Sequence, residues 1–329
     1  MKGICTLAND RVYDQLIALL NSIEATMGKD FPVCVYPYDE QITAISTVIA
    51  KRPQVQLYSD ALVMAEWDNY VKAIWDIHPN ASQGWSQAGS TGYHRLGTHH
   101  RYYAFDGPFS SFLYMDADTL LLSSVESIFA LLEQHDCVVY DFQYKDPSHV
   151  YQIDSPRLTS IFASDRLKKE IFCSGFYASK GDLFPQSQRE WLFNQLQAGD
   201  IEILYPMAPD QTILNYLMMK SNYSIYNLAL NLPTQVKTGN SVTSSHFVQK
   251  DMLLYDHDRP LTYLHYIGVP SQLFTRVCRG ENLDFPYREI FLNYRYLYEP
   301  ENKPQFQGKA KPYNQPPNLW QRISRKIGL

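Results

Sequence analysis

Cysteine is scarce in this 329-residue sequence. The five present, Cys5, Cys34, Cys137, Cys173 and Cys278, are odd in number, widely spread and never in C-x-x-C spacing. That excludes a disulfide framework and a structural zinc site, and it points to a reducing compartment. Long apolar runs are missing as well. None approaches the roughly 18 residues a transmembrane helix needs, and the stretch Met1-Lys2-Gly3-Ile4-Cys5-Thr6-Leu7 is too short an apolar segment for a secretory signal. A cytoplasmic, soluble protein is the expectation. Nor is there a surplus of basic charge: 29 Lys and Arg face 34 Asp and Glu, a net of −5, so no overall field directs the chain to nucleic acid. No internal repeat is visible. What remains is an ordinary globular composition, 45% hydrophobic and 19% charged, long enough for one large α/β domain or two small ones. Aromatic content is high at 14%, with 25 Tyr. Tyrosine suits sugar or base stacking and equally suits core filling, and composition does not choose between them.

The opening reads as strand, helix, strand, helix, strand. Gly3 to Leu7 is a short apolar strand ending at Ala8-Asn9-Asp10, and Leu16, Leu19, Leu20 and Ile23 mark one face of a helix that Asn9 or Asp10 would cap. Val33 to Tyr36 and Val55 to Tyr58 are further strands, with a helix near residues 41–50 between them. This alternation predicts a parallel sheet with right-handed crossovers, whose ligands sit at the carboxyl ends of the strands. Asn9, Asp10, Asp39, Asp60, Asp116 and Asp118 all fall at such ends. Residues 79–98, rich in Gly, Ser and Asn, read as a mobile binding loop before a helix from about Arg101. His94, His99 and His100 fit no metal-ligand spacing and read as surface histidines.

The organising stretch is Phe112-Leu113-Tyr114-Met115-Asp116-Ala117-Asp118-Thr119-Leu120-Leu121-Leu122. An apolar run enters and another leaves, the pattern of a strand buried on both faces. In extended backbone Asp116 and Asp118 share a side. Two adjacent carboxylates in an apolar setting repel each other, and a hard divalent cation, Mg²⁺ or Mn²⁺, relieves that repulsion. Further on, residues 125–133 read as a helix, residues 138–140 as a strand ending at Asp141, and residues 171–178 as a strand with Ser174-Gly175 inside it. A glycine there often marks close approach of a ligand. Residues 190–198 and the segment after Pro209-Asp210-Gln211 read as helices, and Leu264 to Gly268 as a strand-to-loop junction.

Together these pieces resemble the retaining glycosyltransferases of family 8, the group that includes glycogenin and bacterial lipopolysaccharide galactosyltransferases. The resemblance rests on Thr6-Leu7-Ala8-Asn9-Asp10 with Tyr13, on Tyr114 to Leu120, on Cys173-Ser174-Gly175, on Asp210-Gln211 with Asn215, and on His265-Tyr266-Ile267-Gly268, in the family's order across residues 1–279. It implies a GT-A type α/β fold, a Rossmann-like, mainly parallel sheet flanked by helices, over residues 1–298. Residues 299–329 are then a Pro-rich linker and a short basic amphipathic tail. It implies metal ligation by Asp116, Asp118 and His265, with Mn²⁺ or Mg²⁺ as cofactor. Thr6, Leu7, Asn9 and Tyr13 would hold the nucleotide, with Asp39 or Asp60 also within reach of the base. Arg101, Ser174, Gly175 and Gly268 would contact donor sugar and phosphates. Asp210 and Gln211 would line the donor sugar as the catalytic pair. The implied reaction moves a hexose from a nucleotide sugar, UDP-linked by expectation, to a glycan or other hydroxyl acceptor.

The sequence departs from the family at two places. Cys173 stands where an Asn is expected, removing amide donors from the sugar pocket. Val269-Pro270-Ser271-Gln272 follows Gly268 without the expected Lys, a role Arg276 or Arg279 could fill. Two other readings stay open: a haloacid-dehalogenase-like phosphatase with Asp116 as nucleophile and Asp118 as acid/base, and an inactive sugar-binding protein of the same fold. The tail, residues 319–329, puts Leu319, Trp320, Ile323 and Ile327 opposite basic residues. It reads either as a peripheral membrane contact or as an ordinary docking helix.

Overall fold

The structure, a computed structural model, describes residues 1–314. The amphipathic stretch at residues 319–329 lies outside them. Eight strands define the framework: β1 (Lys2–Ala8), β2 (Val33–Pro37), β3 (Val55–Leu57), β4 (Ser111–Met115), β5 (Thr119–Leu121), β6 (Cys137–Val139), β7 (Phe176–Lys180) and β8 (Ile225–Asn227). Seven of them form one sheet in the order β3-β2-β1-β4-β7-β6-β8. The strands β3, β2, β1 and β4 run parallel, as the alternation requires, with Cys5 opposite Cys34 and also opposite Tyr114. β7 runs antiparallel between β4 and β6, and β8 restores parallel pairing. The sheet is mixed and mainly parallel, with helices on both faces.

Burial follows from the run of residues in β4. Phe112, Leu113, Tyr114 and Met115 are all fully buried, because alternate side chains feed two separate cores. Phe112 and Tyr114 join Trp67, Tyr102, Phe105 and Tyr177 on one face, and Leu113 and Met115 join Leu16, Leu20, Val35 and Phe176 on the other. Each such side chain contributes roughly 1.5–3 kcal/mol by leaving water. A third apolar cluster, with Leu120, Leu264, Tyr266, Phe274 and Phe291, lies under β5 and the strand Tyr263–His265.

Several local expectations change. The helix Tyr13–Met27 begins only after a 3₁₀ turn, Asp10–Val12, which Asn9 caps by accepting from the Arg11 N–H. Residues 79–98 are no loose loop. They hold the helix Ala81–Gln87, whose buried Trp85 donates its indole N–H to the Pro206 carbonyl, followed by the 3₁₀ segment Leu96–Asp106. His99 is buried, not superficial, and takes the indole N–H of Trp75. Ser174 and Gly175 precede β7 rather than lying inside it. The apolar pair Ile171-Phe172 mimics a longer strand, but its partner is the Asn215 amide, which bonds both the Phe172 N–H and its carbonyl. Beyond residue 298, Lys311–Pro312 pairs in parallel with Leu283–Asp284. No helix among the described residues is long and apolar enough to cross a membrane.

Candidate active site

β1 and β4 are neighbours whose connections leave in opposite directions, so their carboxyl ends open a crevice, the usual ligand position in such sheets. A cavity of about 780 Å³ sits there. Its walls come from residues 7–12 at the end of β1 and beyond it, from Asp116, Ala117 and Asp118 after β4, from Arg95, Thr98 and Arg101, and from one face of the helix Ser271–Cys278.

The carboxylates sit in a tight turn that is pinned from three sides. The Asp116 N–H donates to the Gly175 carbonyl, the Thr119 N–H donates to Asp116, and the Tyr266 N–H donates to the Asp118 carbonyl. The strand Tyr263–His265 pairs antiparallel with β5, setting His265 opposite Thr119. That register brings the imidazole from the far end of the sequence to 3.3 Å from the Asp118 carboxylate. One ligand atom each from Asp116, Asp118 and His265 lie within 4.8 Å of one another. Two carboxylate oxygens and one imidazole nitrogen form a hard set that fits Mn²⁺ or Mg²⁺. The fit includes a cradle: a Cβ on Gly175 would stand 2.7 Å from His265 Cε1 and 2.8 Å from Asp116 Oδ2. Only a residue without a side chain leaves these groups room to converge.

Arg101 is the second organising group. It is almost fully buried, and its guanidinium lies 3.2 Å from both Asp116 and Asp210. It also donates to the carbonyls of Ser174 and Thr98 and stacks over the Tyr114 ring. Around it, Ser174 donates its hydroxyl to Asp210 and its N–H to the Gln211 side-chain oxygen. Asn215, one turn along the helix Pro209–Lys220, ties the Gln211 carbonyl to the Phe172 segment. The electrostatics follow from this geometry. Burial opposes ionisation of Asp210, but Arg101, His99 and Arg95 outweigh it and hold its carboxyl below the usual range. Burial likewise opposes charge on Asp118, yet His265 keeps its pKa low. For His265 burial pulls the pKa down and Asp118 raises it further, so the net shift is upward. Asp116 is pushed up by burial despite Arg101, with Asp118 adding to the push.

The residues singled out in the sequence do not all reach the cavity. Leu7, Asn9, Arg101, Asp116 and Asp118 line it, as do Arg276 and Arg279. His265, Ser174, Gly175, Asp210 and Gln211 form the adjoining network described above. Thr6 is fully buried beneath the wall. The Tyr13 ring lies under the Arg295 guanidinium; the 3₁₀ turn before it puts Arg11 and Val12 at the cavity instead. Asp39 accepts from the Asn9 amide, and Asp60 caps the helix Ala61–Asp76. Gly268 occupies the turn after His265 with φ near +80°, a conformation that favours glycine. Residues the sequence did not flag are Gln15, Tyr38, Arg95 and, beside Arg276, the residues Ser271, Gln272 and Thr275 of the helix Ser271–Cys278, whose period of four was the available signal. Asp141 was read only as a strand end. It is buried, accepts the N–H groups of Gln143 and Cys173, and is pushed up to about 7 by burial.

No protein-family model and no curated protein matches this sequence. Solved structures do. The chain is similar to the apo structure of the bifunctional glycosyltransferase WbbM, with 13% identity and a TM-score of 0.53 over 91% of this chain and 50% of that one. It thus spans about half the length of that protein. It is also similar to the galactosyltransferase LgtC in complex with donor and acceptor sugar analogs, with 13% identity and a TM-score of 0.50 over 84% of this chain and 95% of that one. Identity this low speaks to architecture, and the architecture of this chain is the GT-A glycosyltransferase fold.

Proposed function

We propose that this chain is a metal-dependent glycosyltransferase that moves a hexose from a nucleotide sugar, UDP-linked, to a hydroxyl acceptor with retention of configuration. One observation carries the reading. Asp116, Asp118 and His265 converge beside the buried Arg101–Asp210 pair, at the mouth of a cavity that opens where β1 and β4 end. A divalent cation held by those three side chains would act as a Lewis acid toward the diphosphate leaving group. The chain's own residues do the rest. Arg101 fixes Asp116 and Asp210 relative to each other. Asp210, kept ionised, offers negative charge to an oxocarbenium-like sugar, and Gln211 and Ser174 hold that carboxylate's surroundings. Asn9, oriented by Asp39, with Leu7 and Tyr38 forms the wall suited to base and ribose.

A phosphatase using Asp116 as nucleophile fits less well. Asp116 Oδ1 accepts from the Tyr114 hydroxyl at 2.9 Å and lies 3.2 Å from Arg101, which leaves only the other carboxylate oxygen, and the Asp116-x-Asp118 turn follows the fourth strand rather than the first, where that phosphatase motif sits. The test is hydrolysis and transfer assayed with UDP-hexoses and Mn²⁺, in wild type and in Asp118→Asn. The variant is expected to lose several kcal/mol of transition-state stabilisation, at about 1.4 kcal/mol per tenfold in rate. Unchanged turnover in the variant or in excess chelator contradicts the metal assignment.

A further inference from the structure

One polar group in the cavity wall has no protein partner. Gln15 is only 3% exposed, its Nε2 makes no hydrogen bond, and no bond to its side-chain oxygen is formed among the described residues. It sits in the first turn of the helix Tyr13–Met27. From there it lines the cavity beside Ala117 and Asp118, and its other edge abuts a small gap under Tyr266, Phe274 and Phe291. A buried amide left unpaired is costly; a half-turn of the carboxamide exchanges its two ends, so that N–H faces the cavity and the oxygen takes the buried position, without moving the chain.

The wall next to it is polar and rich in donors. The helix Ser271–Cys278 begins after Pro270, which has no capping side chain, so the N–H groups of Ser271 and Gln272 have no partner within the helix. Ser271, Gln272, Thr275, Arg276 and Arg279 face the cavity, while Leu273, Phe274 and Val277 are buried on the opposite side. Arg276 is paired with Glu281 at 2.6 Å; Arg279 has no carboxylate within salt-bridge distance among the described residues. Backbone N–H groups at a helix start, a guanidinium and an amide N–H on one wall, with no carboxylate on that helix, are complementary to an anion.

Resting on the glycosyltransferase reading above, we propose that Gln15 is a donor-contacting residue. Its carboxamide works with the first N–H groups of the helix Ser271–Cys278 and with Arg279. Together they hold the diphosphate oxygens that the Asp116, Asp118 and His265 side does not reach. The ligand class is an organic diphosphate, lying between the Asp116, Asp118 and His265 side of the cavity and this donor-rich side.

Binding of UDP and of inorganic pyrophosphate, each with Mn²⁺, tests this by calorimetric titration of wild type, Gln15→Met and Ser271→Asp. Unfolding temperatures are measured on the same proteins without ligand. Methionine removes the unpaired amide while keeping the volume, so Gln15→Met is expected to unfold at the same or a higher temperature. Its affinity for both ligands should fall roughly tenfold or more. Aspartate suits a helix start, so Ser271→Asp should keep its stability and lose binding by repelling the anion. A Gln15→Met protein that melts earlier yet binds both ligands as wild type does makes Gln15 a packing residue and overturns the proposal. Failure of wild type itself to bind either ligand defeats the glycosyltransferase reading, a result the variants are not needed to see.

Discussion

Three residues carry the account at the level of single side chains. Gly175 is required by what its absent side chain makes room for. Gly175→Ala should therefore abolish Mn²⁺ binding and destabilise the fold by about 1–3 kcal/mol through overpacking, measured by metal titration and denaturant unfolding. Wild-type metal affinity in that variant would mean the His265–Asp116 approach is not needed. Arg101 neutralises two buried carboxylates. Arg101→Met leaves both uncompensated and is expected to cost about 3–5 kcal/mol, with partial recovery when Asp210→Asn is added. Asp141 sets a pH dependence. Its folded pKa of about 7 lies above the unfolded value of about 3.9, so the folded state holds the proton more tightly. The stabilisation from that proton is complete below about pH 4 and is lost as pH rises to 7. Asp141→Asn should flatten the fall in stability across that window, whatever its offset, and an unchanged slope assigns the effect elsewhere.

Helices and strands differ in how far they could be read in advance. β1 to β4 announce themselves because each is a short apolar run bounded by turn residues, and their strand ends carry the polar groups. The Asp116-x-Asp118 turn is legible for the same reason. The antiparallel insertion of β7 is not, because strand direction depends on β4, a partner remote in sequence, and Ile171-Phe172 extends its apolar pattern into a loop. The helix Ser271–Cys278 hides because eight residues give barely two turns of period, and its cavity face is polar without being a charge run. The side chain of Tyr13 is set beside Arg295 by one short 3₁₀ turn, a local geometry that composition does not encode. Asn215 shows how such elements are locked: Asn215→Ala should cost about 1–3 kcal/mol by orphaning the buried Phe172 backbone groups, seen as an earlier denaturation midpoint.

At the scale of the molecule, the site exists because remote segments meet. β1 leads into one wall of the cavity, β4 into the carboxylates, and the 3₁₀ segment Leu96–Asp106 supplies the central arginine, the helix Pro209–Lys220 Asp210 and Gln211, and the strand Tyr263–His265 the imidazole. This is a long-range arrangement, and only the ordered set of short motifs hinted at it. The central claim is that a cation on Asp116, Asp118 and His265 is what lets the cavity hold a nucleoside diphosphate. The most direct measurement is the binding affinity of UDP with and without Mn²⁺, in wild type and in Asp118→Asn. The account predicts tight binding only for wild type with Mn²⁺, and weak binding in the other three cases. UDP binding that is equally tight without Mn²⁺, or undiminished in Asp118→Asn, would contradict it.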